Sequence, residues 1–100
     1  MAYDAGSLDA TLAAAAGEDA VLFSELRQAF IESVERQVDL LQRSRCDGNW
    51  QMSALRLKGV AATFQAETLI LLADEALDGA PGDPVVLNRI KTFLAEFAAA

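Results

Sequence analysis

An all-α fold, an antiparallel four-helix bundle behind a short extra N-terminal helix, follows from composition, periodicity and the placing of helix breakers. Alanine, leucine, glutamate and arginine dominate the chain while β-branched and aromatic residues are sparse. The first group loses least on entering a helix. Apolar residues recur at spacings of three, four or seven along four long segments, one stripe to each. Breaker residues cluster between those segments, in "CDGN" and "DGAPGDP", although Gly59 stands inside one. At this length, 1–100 reads as a single domain with a core adequate for independent folding.

Ser7 is placed to cap a first helix through "LDATLAAAA", which ends near Gly17. Glu18 and Asp19 then favour a second helix start, because acids suit the positive end of the helix dipole. That helix is predicted from about Asp19 to Arg45. Phe23, Leu26, Phe30, Val34 and Leu41 form its apolar stripe, and Glu25, Arg27, Glu32, Glu35 and Arg36 its solvated side. "CDGN" breaks it: Gly48 offers a positive-φ position and Asn49 a cap. Helix three then covers about Trp50 to Phe64, and helix four about Ala66 to Leu77, with Leu69, Leu72, Ala73 and Ala76 inward. In "DGAPGDP", Gly79 is placed to end a helix in the left-handed region, and Asp83 and Pro84 to cap and open the next. The last helix turns Val86, Ile90, Phe93 and Phe97 inward, with a frayed "AAA" behind it. No internal repeat or low-complexity linker interrupts the chain.

The formal charge is −7, which repels phosphate backbones and anionic lipid and argues against nucleic-acid and membrane partners. "MAYDAGSLDA" lacks the basic and apolar regions of a secretory signal, "LILLA" is too short to span a bilayer, and Cys46 has no second cysteine to pair with. A cytoplasmic location is expected. With 0 histidines, the commonest general base and metal ligand is missing. No Ser-His or Cys-His pair, phosphate-binding glycine loop or metal-ligand cluster is present, so no catalytic residue, metal or cofactor is expected. The acids of "EDA" at 18 and "DEA" at 74 read as solvated helix acids. Cys46 is expected at a helix C-terminus, where the dipole disfavours a thiolate.

On helix three, Leu57 lies at the centre of the inner face, with Trp50, Ala54, Ala61 and Phe64 within about 60° of it. Leu55 falls about 160° away, pointing outward. Met52, Gly59 and Ala62 share that outer side, with Arg56 and Lys58 at its flanks. A glycine inside a helix costs about 1 kcal/mol relative to alanine. An outward Leu and Met beside a bare Gly fit a docking patch; a lone exposed leucine also occurs as ordinary surface variation.

"LRLKGVAATFQAETL" resembles the signature of histidine-containing phosphotransfer (HPt) domains: His-x-Leu-Lys-Gly, small residues, then Leu-Gly-Ala, an acid and Leu. Leu57, Lys58, Gly59, Ala61, Ala62, Ala66, Glu67 and Leu69 match in place. "LFSELRQAFIESVERQVDLLQRS" resembles the family's long second helix and "LNRIKTFLAEF" suits its last, so the similarity spans about 19–97. The resemblance implies a four-helix bundle whose outer-face histidine exchanges a phosphoryl group with a receiver-domain aspartate. The family's lysine offsets negative charge there and its glycine clears space. Here Leu55 holds the histidine's place and has no lone pair to attack phosphorus, and Gln65 replaces the family's glycine.

The resemblance, so altered, implies a non-catalytic pseudo-phosphotransfer domain in two-component phosphorelay signalling. Its protein partner would be a response-regulator receiver or histidine-kinase domain, met through Met52, Leu55, Arg56, Lys58, Gly59 and Ala62. The alternative is a structural bundle that forms a homodimer through the same apolar face.

Overall fold

A computed structural model describes the backbone of residues 5–99 and the side chains of residues 8–99. Within it lie α1 (Ala5–Ala16), α2 (Ala20–Arg43), α3 (Asp47–Thr63), α4 (Glu67–Asp78) and α5 (Pro84–Ala99), and among the described residues there is no strand. Ala98 and Ala99 continue α5, so the fraying expected of the last three alanines is absent from these two; Ala100 lies outside the described residues.

Helix starts differ from the sequence expectation where two signals compete. α1 already includes Ser7, which therefore does not precede the helix as a cap. α1 ends at Ala16, and Gly17 after it takes φ 67°, a conformation that glycine adopts without a Cβ penalty. Asp19 caps α2, its Oδ1 accepting from the Val21 and Leu22 amides at 3.0 Å. α2 stops at Arg43, short of Arg45, because Ser44 turns extended. The Ser44 hydroxyl donates to the Leu40 carbonyl at 2.8 Å, serving an acceptor of the last turn.

α3 starts at Asp47 rather than Trp50, so Gly48 and Asn49 are helical and neither breaks nor caps it. Cys46, extended at φ −134° and ψ 161°, is the N-cap residue, and its carbonyl accepts from the Trp50 amide at 3.0 Å. Cys46 thus opens a helix instead of closing one. Asp47, at the first helical position, supplies the acid that the dipole favours.

α3 closes on two reverse-turn bonds, Ala66 amide to Ala61 carbonyl at 2.8 Å and Gln65 amide to Ala62 carbonyl at 3.1 Å. That pair is the Schellman motif, and it holds Gln65 at φ 55° in the left-handed region. Beyond α4, Gly79 is extended at φ −98° and ψ −173°, not left-handed. It stays small for another reason: an added Cβ would sit 3.2 Å from Asp83 Oδ2. The left-handed residue of this loop is Gly82, φ 81°, third in an Ala80–Asp83 turn closed by a 3.1 Å bond, with Pro81 second. Asp83 Oδ1 then accepts from the Val85 amide at 3.0 Å and Pro84 opens α5, as expected.

α2 packs against α1, α3 and α5, and α4 against α3 and α5. Phe30, Val34, Leu41, Leu57, Leu69, Ile90 and Phe97 are sealed between them. Phe30 meets Phe64 and Phe97 edge-on at centroid distances of 5.0 and 5.4 Å, a preferred geometry for aromatic pairs. Trp50, 1% exposed, donates from Nε1 to the Ala76 carbonyl at 2.7 Å, so its one polar atom is satisfied inside the core.

Arg27 is not on a solvated side. Its guanidinium lies 4.5 Å from the Phe97 ring centroid, 3.8 Å from Asp9 Oδ1, and donates to the Phe97 carbonyl. Arg27 stands one turn from both Phe23 and Phe30. The long stem can bury on that apolar face while the head finds a carboxylate and a carbonyl. One side chain thereby links α1, α2 and α5.

Candidate functional site

α3 divides into two faces with the phase set by Leu57. Trp50, Ala54, Leu57 and Ala61 are at most 1% exposed, and Phe64 is partly buried against them. On the opposite side Met52 is 52% and Leu55 55% exposed. Arg56, Gly59 and Ala62 are exposed on the same side. All six predicted contact residues therefore lie on the accessible part of one helix, with half-buried Lys58 at the edge toward α4.

Gly59 gives this face its strongest signal. A Cβ built there meets nothing within 4 Å beyond its own stretch of helix, so no packing among the described residues requires a glycine. Its carbonyl accepts from the Thr63 hydroxyl at 2.9 Å, a contact that any residue at 59 would preserve. The helix therefore carries a penalty of about 1 kcal/mol that buys nothing within the fold.

Lys58 behaves differently from a free cation awaiting a partner. Its Nζ lies 2.7 Å from Asp74 Oδ1 on α4, with both side chains 43% exposed. A pair this exposed contributes about 0–1 kcal/mol. It does hold the ammonium over the α3–α4 seam and offsets its charge. Asp74 and its neighbour Glu75, expected as solvated acids, are interhelical partners instead; Glu75 pairs with Arg89 of α5. Asp19, read both as a solvated acid and as favouring the start of α2, is the α2 cap.

Leu40 of α2 was not predicted, and at 38% exposure it borders the α3 face near Met52. The signal was the pair Leu40–Leu41: neighbours on a helix diverge by about 100°, so one of two leucines must leave the core. Leu41 is fully buried and Leu40 is the one left out.

The chemistry available to this face is contact. Leu55 is an alkyl group with no nucleophilic atom. Among the described residues no group of three or more His, Cys, Asp or Glu side chains could hold a metal ion, and no helix is long and apolar enough to cross a membrane. Comparison of the chain with protein-family models, with curated proteins and with solved structures finds no match.

Proposed function

We propose that this chain is a non-catalytic member of the phosphotransfer type, a four-helix bundle that binds a receiver or histidine-kinase domain and carries no phosphoryl group. The observation that carries the reading is Gly59: a helix-weakening residue, with open space above it, one turn from an outward Leu55. A residue kept bare for no internal reason is accounted for by a surface that comes close from outside.

Further support comes from the positions of the HPt-like motif. Leu57 and Ala61 are core, while Gly59 and Ala62 are on the surface, as a signature with one buried and one docking face requires. Where the family has glycine, Gln65 holds the left-handed conformation that glycine favours. The backbone preference of that site is kept although the residue differs. Helices α2, α3, α4 and α5 each pack against two others of the four, the order a closed bundle needs.

Receiver and kinase domains titrated calorimetrically against wild type and Leu55→Asp test the reading. Saturable binding of at least one such domain, lost in the variant, is the expected result. Unchanged affinity in Leu55→Asp removes this face as the interface. Incubation with acetyl-phosphate-charged receivers is expected to leave the chain unlabelled, and stoichiometric labelling would overturn the non-catalytic assignment. A dimer seen by light scattering across protein concentrations, and dissolved by Leu55→Asp, would assign the face to a second copy instead.

A further inference from the structure

We infer that the cleft between the end of α2 and the first half of α3 receives an acidic segment of a protein partner, one with an apolar side chain set among its carboxylates. The cleft, about 340 Å³, is lined by Leu40 and Arg43 from α2 and by Asn49, Met52, Ser53 and Arg56 from α3. Leu40 and Met52 offer apolar surface that the chain itself leaves 38% and 52% uncovered.

Charge selects the occupant. The chain holds 15 acidic against 8 basic residues, yet the lining includes two arginines and no acid. The Arg56 side chain makes no hydrogen bond or ion pair with any described residue. Among the described residues the Arg43 side chain meets only Asp39, at 3.7 Å and with both side chains more than half exposed, a contact that neutralises little. Arg45, just past the end of α2, reaches the Gln42 carbonyl at 3.5 Å and no other described residue with its side chain. Guanidinium groups with free edges pair with carboxylates through two parallel hydrogen bonds. A bare inorganic anion would leave Leu40 and Met52 uncovered. A long polyanion would run onto the acidic remainder of a chain of net charge −7. A short acidic peptide with an apolar anchor satisfies both parts of the cleft. The inference rests on the reading above in one respect: Met52 and Arg56 belong to the cleft and to the α3 face, so one partner covers both.

The test is an amide NMR titration of the whole chain with a peptide of about twelve residues, leucine and phenylalanine set among Asp and Glu, and with its Asn/Gln counterpart. Saturable binding of the acidic peptide is expected, with shifts at Leu40, Arg43, Met52 and Arg56. Affinity should fall at least about tenfold for the amide peptide and for Arg43→Glu/Arg56→Glu. Absence of saturable binding, equal affinity for the amide peptide, or shifts elsewhere would overturn the inference. So would displacement of the peptide by a single-stranded oligonucleotide or by phosphatidylserine vesicles, or occupation of the cleft by a second copy of the chain. Leu55→Asp keeps the two proposals apart. It is expected to abolish receiver or kinase binding while leaving peptide affinity within about threefold, because Leu55 does not line the cleft. Loss of domain binding in Leu55→Asp, together with a peptide affinity that Arg43→Glu/Arg56→Glu leaves unchanged, would sink the cleft and leave the proposed face standing.

Discussion

Gly59→Ala separates a glycine kept for the fold from one kept for a partner. The new methyl group enters open space, since among the described residues nothing beyond the surrounding helix backbone and the two neighbouring residues lies within 4 Å of the Cβ position. No clash subtracts from the propensity gain, so the helix should become more stable by about 1 kcal/mol, the interior Gly-to-Ala difference. For a chain of 100 residues that corresponds to a rise in melting temperature of about 4–8 °C. Urea unfolding followed by circular dichroism should show a higher midpoint with an unchanged slope, which marks a stability change rather than a change in compactness. The same methyl group should weaken a partner seated on the face, by about tenfold if it costs the contact about 1.4 kcal/mol. A variant more stable yet poorer at binding is the outcome that an external role produces. Reduced stability would refute the reasoning, because it would mean that Gly59 is required by the fold itself.

Gln65→Gly should stabilise the chain by about 0.5–1 kcal/mol, since a left-handed non-glycine residue costs about 1–2 kcal/mol and glycine returns part of that as backbone entropy; chemical denaturation measures it. Trp50→Phe should cost about 0.5–1.5 kcal/mol in the same assay from the lost indole bond, because the Ala76 carbonyl keeps the Gly79 amide as a donor. A double-mutant cycle on Lys58→Ala and Asp74→Ala should give a coupling of at most about 1 kcal/mol that shrinks as salt is added. Leu55→Asp should lower stability by no more than about 1 kcal/mol, so that lost binding is not a consequence of lost folding; the exposed leucine gives up only helix propensity.

The inward and outward faces of α3 were legible because Leu57, Trp50 and Ala61 set a helical phase that nothing in the surrounding packing disturbs. The same periodicity identified Val86, Ile90, Phe93 and Phe97 as the inward face of α5. Helix ends were less legible. "CDGN" contains both a breaker and two start signals, and once Ser44 ends α2, Asp47 at the positive end of the dipole is the stronger choice. In "DGAPGDP" two glycines compete for one left-handed position. Pro81 settles the competition by fixing the second residue of a turn whose third is Gly82.

Arg27 and Lys58 show why charged residues were harder still. Their helical phase is readable, but the partner that each reaches, Phe97 or Asp74, depends on which helices come together. The α2–α3 cleft belongs to the same class, since its two walls are joined only by tertiary packing.

The most direct test of the α3 docking face is a hydrogen-exchange footprint of the chain with a bound receiver or kinase domain. Slowed exchange across 52–62 of α3, with α5 unchanged, is the predicted result. Protection centred on α5 and its seam with α4, with 52–62 exchanging as in the free chain, would contradict it.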